Sequence, residues 1–367
     1  MNKANPYTAL GQEAFWSSGV AGSSPFLVKS VYQKKWSLKR NDKIATAGSC
    51  FAQHISRYLR KANYNVLDLE PPPPWTKLKI GEVTERVSFD KETAMKFGYE
   101  MYSARYGNIY TVHQLLQLLK EAFGLIEPQL AVWQKDGRYY DAFRPNIEPG
   151  GLDTIREVEI YRQAHLEKVR ELFLTADVFV FTLGLTEGWV HTASQTVYPT
   201  APGTIAGMFD PDVFSFKNFG FVETFEAFVE FEALLKTLRK DSSAMKFLLT
   251  VSPVPLTATA SGKHVLQATV YSKSVLRAVA GALEEKFDNI DYFPSYEIVT
   301  NPANRSTFYN ENLRTVRDDA VEIVMKHFFA SHAKASPHSA EPEADVGPEF
   351  EELDVQCDEY ILESFRT

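Results

Sequence analysis

A glycine, a hydroxyl and a thiol stand in a row at Gly48-Ser49-Cys50, directly after a short apolar run that begins at Ile44. A thiolate attacks a carbonyl carbon readily. It forms most easily where a helix begins, because unbonded N–H groups and the positive end of the dipole stabilise it. The residues that follow supply such a helix: Phe51, Ile55, Tyr58 and Leu59 recur at i, i+4, i+7 and i+8. Gly48 permits the sharp reversal between strand and helix. Taken without that context, Cys50 is a small buried residue, since free cysteine is among the most buried types. Two histidines can take a proton from the thiol. His264 lies in a loop after a later strand, and its other reading is an N-cap or a solvent-facing residue. His54 is one helical turn beyond Cys50, and its other reading is a core residue beside Ile55 and Tyr58.

These groups need a scaffold, and the hydrophobic pattern describes one. Strand-length apolar runs at 43–47, 64–69, 177–183, 246–251 and 290–293 alternate with amphipathic runs at 51–62, 112–123, 152–173, 223–239, 265–287 and 316–329. That alternation predicts an α/β fold, a parallel sheet with helices on both faces and right-handed crossovers. Residues 70–150 and 192–222 break it. The first stretch holds Pro71-Pro72-Pro73-Pro74 and a Tyr/Arg/Asn-rich passage; the second is rich in Gly, Pro and Phe. Insertions of this length build lids or binding walls, or surface loops packed by their own aromatics. Residues 331–347 read as a flexible linker, and 348–367 as an acidic tail able to form a short helix on its own core or on a partner. The expected plan is therefore one domain, 1–330, with two insertions, a linker and a tail.

With 367 residues the chain can bury a large core. Its net charge of −8 and the lack of a basic block argue against a nucleic-acid partner. Cys50 and Cys357 stand far apart, one in a core-like run and one in the acidic tail, which favours free thiols and a cytoplasmic location. No apolar run approaches the ~20 residues that span a bilayer. Phosphate-loop, dinucleotide, zinc-protease and paired Cys-x-x-Cys signatures are missing, so neither a metal nor a nucleotide cofactor is expected.

In a parallel α/β sheet, chemistry gathers at the C-terminal ends of the strands. Besides Gly48-Ser49-Cys50, three such ends are polar. Gly184 and Gly188 flank Thr186-Glu187, allowing amides and a carboxylate to face a small ligand. Ser252-Pro253-Val254-Pro255 leads to Ser261, Lys263 and His264, and Asn310 to Thr315 precedes the last helix. Glu187 can orient a histidine, bind a sugar hydroxyl or cap a nearby amide. Arg105 and Arg314 suit an anionic group, although such arginines more often form structural ion pairs.

Gly48-Ser49-Cys50-Phe51-Ala52 resembles the name motif of the GSCFA domain family, bacterial proteins often encoded near polysaccharide genes. Tyr102-Ser103-Ala104-Arg105-Tyr106-Gly107-Asn108-Ile109-Tyr110-Thr111, Thr182-Leu183-Gly184-Leu185-Thr186-Glu187 and Tyr271-Ser272-Lys273-Ser274 are similar to further blocks of that family. The resemblance runs from about residue 44 to 329. It implies kinship with the SGNH (GDSL-like) hydrolases: three-layer α/β/α, flavodoxin-like esterases, acetylhydrolases and acyltransferases. It places Cys50 at the nucleophile position, with Ser49 as the competing choice. It makes Gly107 with Asn108 an oxyanion donor, and aligns Gly184-Leu185-Thr186-Glu187 with the Gly-x-Asn-Asp block, Thr186 standing where asparagine is usual. At the usual Asp-x-x-His this chain has Asn312-Leu313-Arg314-Thr315. The implied activity is acyl transfer on a saccharide or other small polar substrate, as esterase or O-acyltransferase, with an acyl donor in the latter case. The alternative is a carbohydrate-binding or polysaccharide-assembly protein that retains the fold without catalysis.

Overall fold

The computed structural model describes residues 5–24, 26, 28, 30–80, 83–88, 90–240, 244–332 and 358–366. The chain divides into two compact units, Lys39–Tyr292 with Phe350–Thr367, and Met1–Leu38 with Phe293–Glu349. In the larger unit the order is β1 (Ile44–Gly48), α1 (Phe51–Lys61), β2 (Trp75–Ile80), β3 (Val83–Ser88), α2 (Lys91–Lys96), α3 (Val112–Ala122), β4 (Val132–Lys135), β5 (Arg138–Asp141), α4 (Ile155–Thr175), β6 (Val178–Leu183), β7 (Glu187–His191), β8 (Val197–Tyr198), β9 (Phe214–Asn218), α5 (Phe221–Arg239), β10 (Lys246–Val251), α6 (Val265–Lys286) and β11 (Ile290–Tyr292). The smaller unit contains α7 (Ser295–Thr300) and α8 (Asp318–His332).

β1, β6, β10 and β11 form a parallel sheet in that order. Every residue of β1 and β6 is buried, as expected for strands covered on both faces. Thr46 bonds Ser56 of α1 and is in register with Val180, so Val180 and its row face α1. Phe179 points to the opposite face, where it meets Phe173 of α4 and Phe231 of α5. Phe247 of β10 packs edge-on against Phe228 and Phe231 there. Helix, sheet and helix thus make the three layers of an α/β/α fold.

The expected strand at 64–69 is reduced to a parallel bridge between Ile44 and Val66. Leu69 gives its amide to Ser103 rather than to the sheet, and four prolines follow. With that bridge at the edge, the parallel segments lie in the spatial order second, first, third, fourth, fifth. The order reverses between β1 and β6. A crevice opens outside the strand ends at such a reversal, and ligands bind there in doubly wound sheets.

The two irregular stretches contain short antiparallel pairings. β2 pairs with β3, and β4 with β5. β8 and β9 flank β7 in a three-stranded sheet, so residues 192–222 are partly ordered as strands. Ser331 and His332, expected in the linker, end α8. The rest of that linker and the tail up to residue 357, including Cys357, lie outside the described residues. Asp358–Phe365 forms a 3-10 helix. In the smaller unit Tyr32 packs on Phe293 and Phe328, while the buried His332 accepts the Leu38 amide through Nδ1.

Candidate active site

Gly48 ends β1 with φ +136, and a Cβ there would lie 2.4 Å from the Thr182 carbonyl oxygen of β6. No other residue fits this position. The chain turns, Ser49 donates its amide to Thr182 O (3.1 Å), and Cys50 takes the N-cap position of α1 with no side-chain cap bond. The Cys50 thiol therefore sits at the positive end of α1, at the reversal point of the sheet. It is 5% exposed. Ser49 is 3% exposed, and among the described residues its Oγ has no hydrogen-bond partner; nor does the buried Oγ1 of Thr182.

A second segment wraps this turn. Gly107, in the left-handed region at φ +66, redirects the chain so that Ile109 N reaches Gly48 O at 2.9 Å. The single Tyr102 hydroxyl proton is shared between Ser49 O (3.0 Å) and Asn108 Oδ1 (2.5 Å), and Gln53 of α1 also reaches Asn108 Oδ1. The Asn108 side chain is thereby held by protein groups. Tyr110 O accepts the amides of both Gly184 and Leu185.

The third wall is the β6–β7 turn. A Cβ on Gly184 would lie 2.9 Å from Ser49 Cβ, so glycine here permits the close approach of the two turns. Thr186 donates its amide to Ser272 Oγ (2.9 Å) and its hydroxyl to Asn218 (2.7 Å). Lys273 of α6, almost completely buried, donates from Nζ to Gly184 O at 2.6 Å. Glu187 accepts from Thr259 Oγ1 (2.7 Å). Burial raises its carboxyl, and Glu359 nearby adds to that.

Gly48, Ser49, Cys50, Gly107, Asn108, Gly184, Thr186 and Glu187 thus occupy three connected segments around one strand end. The remaining candidate residues have the following surroundings. His264 is the exposed N-cap of α6, its Nδ1 accepting the Leu266 amide at 3.2 Å. His54 is buried against Phe51; burial, assisted by Arg57, lowers its ring to about 3, which makes it a poor proton acceptor. Arg105 lies over the Tyr99 ring and donates to Phe97 O, Ile147 O and Glu148, engagements that hold a loop rather than a ligand. Arg314 belongs to the smaller unit, in a turn where Asn312 Oδ1 accepts the amides of Arg314 and Thr315.

Sequence reasoning passed over Tyr102, Gln53, Ser272 and Lys273. The signal for Lys273 was available: it falls on the buried stripe of α6 with Val275, Leu276 and Val279, where an unpaired ammonium does not belong.

Residues 43–328 match the family model of GSCFA. The chain is a member of the GSCFA family. The match begins just before β1 and ends within α8, so it contains all three segments of the site. No curated protein matches this GSCFA chain. Among the described residues no helix is long and apolar enough to cross a membrane, and no cluster of His, Cys, Asp and Glu is placed to hold a metal ion.

Proposed function

We propose that this GSCFA protein is a cytoplasmic bacterial acyl-transfer enzyme of SGNH-like type, an esterase or O-acyltransferase for a saccharide or similar small polar substrate. One observation carries the reading. The Gly48-Ser49-Cys50 turn presents a thiol at a helix N-terminus and an unpartnered buried hydroxyl at the reversal point of a doubly wound sheet. Buried polar atoms without partners are rare in packed proteins and mark places kept for something other than packing. Residues 1–330 serve as the catalytic domain in this reading, and the segment beyond them as an appendage.

The reaction follows from the parts. Cys50 Sγ, as thiolate, attacks the ester carbonyl carbon, and the π electrons move to oxygen. Backbone amides of the first turn of α1 and of the Gly107 segment stabilise that oxyanion. The carbon–oxygen bond to the alcohol then breaks, and the departing alkoxide takes a proton from His264. His264 holds that proton as an imidazolium after taking it from the Cys50 thiol, a state in which Nδ1 gives up its cap bond to the Leu266 amide. Water, or a sugar hydroxyl, gives its proton to His264 and attacks the thioester carbonyl carbon; the carbon–sulfur bond breaks and the thiolate is regenerated. Ser49 is the competing nucleophile in the same scheme.

The second reading is a carbohydrate-binding or assembly protein without catalysis. The low exposure of Cys50 and the Asn312-Leu313-Arg314-Thr315 segment in place of Asp-x-x-His favour it. Hydrolysis of p-nitrophenyl acetate by the wild type, Cys50→Ala, Ser49→Ala and His264→Ala separates the two. The enzyme reading expects a loss of about a thousandfold in Cys50→Ala and about a hundredfold in His264→Ala. Equal rates in all four proteins would remove it.

A further inference from the structure

A cleft lies behind the Gly107 segment, with Gln114 and Glu121 of α3 and Arg162 and His165 of α4 in its wall. Its cavity volume is about 30 Å³ and one side is open, which is room for about two waters. Most polar groups of the wall are saturated. Arg162 is committed to Glu121 and Asp141, and Arg144 to Asp141, Arg105 O and Tyr161 O. Gln117 pairs both ends of its amide with the Val197 backbone.

Two neutral groups of the wall are not saturated. His165 is 1% exposed, and its Nδ1 lies 2.6 Å from the Glu70 carboxylate. Burial pushes the Glu70 carboxyl up, but His165 and Arg144 outweigh it and hold it at about 2. An ionised carboxylate only accepts, so Nδ1 carries the proton and Nε2 presents its lone pair. Burial and Arg144 keep the ring neutral down to about pH 4. Among the described residues nothing donates to that Nε2. Gln114 Oε1 accepts the amides of Tyr110 (3.0 Å) and Thr111 (2.9 Å), which fixes the orientation of its side chain. Its Nε2 has no acceptor among the described residues. The wall thus offers an uncommitted acceptor and an uncommitted donor. Its charges are already committed to one another, so an added ion of either sign finds no uncommitted counter-charge.

We infer that this cleft binds a small neutral diol, whose hydroxyls donate to His165 Nε2 and accept from Gln114 Nε2. Two hydroxyl oxygens match the room for two waters, and the open side admits the rest of a longer molecule. The site lies apart from the Cys50 turn, on the far side of the segment whose Ile109 amide reaches Gly48 O.

The test is NMR of the full-length protein at pH 7 during addition of ethylene glycol, acetate or methylammonium. The His165 ring signals are assigned by their loss in His165→Gln, and the exposed His264 reports bulk solvent effects. Ethylene glycol should give intermolecular NOEs to the His165 ring, with half-saturation on the order of 50 mM for so small a ligand. Acetate and methylammonium should give none. Gln114→Glu keeps the capping box of α3 and removes the donor; it should weaken glycol binding about tenfold. No glycol NOE at the His165 ring, as expected if water alone fills the cleft, overturns the inference. So do equal NOEs from acetate, equal effects at His264, or unchanged glycol binding in folded Gln114→Glu. The wild-type measurement decides even where the variant does not fold. Neither readout involves Cys50 or ester turnover, so the proposed function can fail while this site stands.

Discussion

Two buried polar regions of the larger unit treat their groups in opposite ways. Behind the Gly107 segment, Asp141 lies between Arg144 (2.7 Å) and Arg162 (2.9 Å), and Arg162 extends its other donors to Glu121. Glu70 accepts the His165 Nδ1–H (2.6 Å) and the Arg105 amide, and Arg105 in turn pairs with Glu148. Every one of these charges has a partner. Burial pushes the Asp141 carboxyl up, but Arg162 and Arg144 outweigh it and hold it at about 2. At the β1–α1 turn, by contrast, the Ser49 and Thr182 hydroxyls are buried with no partner among the described residues, and a thiol occupies the helix N-cap. The saturated cluster fixes the insertion that wraps the site. The unsaturated turn keeps polar groups available.

That contrast can be broken by substitution. The cluster should fail first: Asp141→Ala leaves two buried guanidinium groups facing each other, and should cost about 3–5 kcal/mol in urea unfolding. A value under 1 kcal/mol would mean that the cluster is not load-sharing in the way its geometry indicates. Gly48→Ala comes next. It adds a methyl group against the Thr182 carbonyl at a φ that other residues avoid, and should cost about 3 kcal/mol, read as a fall in Tm.

Acid sharpens the comparison further. Burial and Arg144 lower His165 to about 4, against the pull of Glu70, from an ordinary value of 6.5. Between those values the unfolded chain binds a proton that the folded one does not, so stability is full above about pH 6.5 and declines as pH falls toward 4. His165 alone should remove about 2 kcal/mol between pH 7 and 5, and the decline should be smaller in His165→Gln. Glu70, held down to about 2 from 4.5, adds a second loss below pH 4.5. A flat urea midpoint from pH 7 to 5 would contradict this. The smallest effect has the opposite sign: Ser49→Ala removes an unsatisfied buried hydroxyl and should stabilise the fold by about 1 kcal/mol. Destabilisation would show that the hydroxyl has a partner in solution.

Legibility in the sequence divides along the same line. β1 and α1 lie within a residue of where hydrophobic spacing puts them, because both alternate cleanly and Gly48 separates them. The helix expected at 152–173 begins instead at Ile155, since Thr154 and Glu157 form a capping box. β8, β9 and the hairpins of the 70–150 insertion were not legible. They are short, with β4 pairing β5 and both β8 and β9 pairing β7, so neither period runs long enough to stand out. At the site, residue types identified the turn. Lys273 leaves a local trace as a lysine on the buried stripe of α6, but its partner Gly184 lies 89 residues away, and the Tyr102 contact to Ser49 spans 53 residues, so the pairings themselves are tertiary facts.

The most direct measurement is mass spectrometry of protein quenched in acid during reaction with p-nitrophenyl acetate. Cys50 as nucleophile predicts one acetyl group on the tryptic peptide spanning residues 44–57, lost in Cys50→Ala and retained in Ser49→Ala. Hydrolysis that proceeds with this peptide unmodified, or with the acetyl group retained in Cys50→Ala, would contradict it.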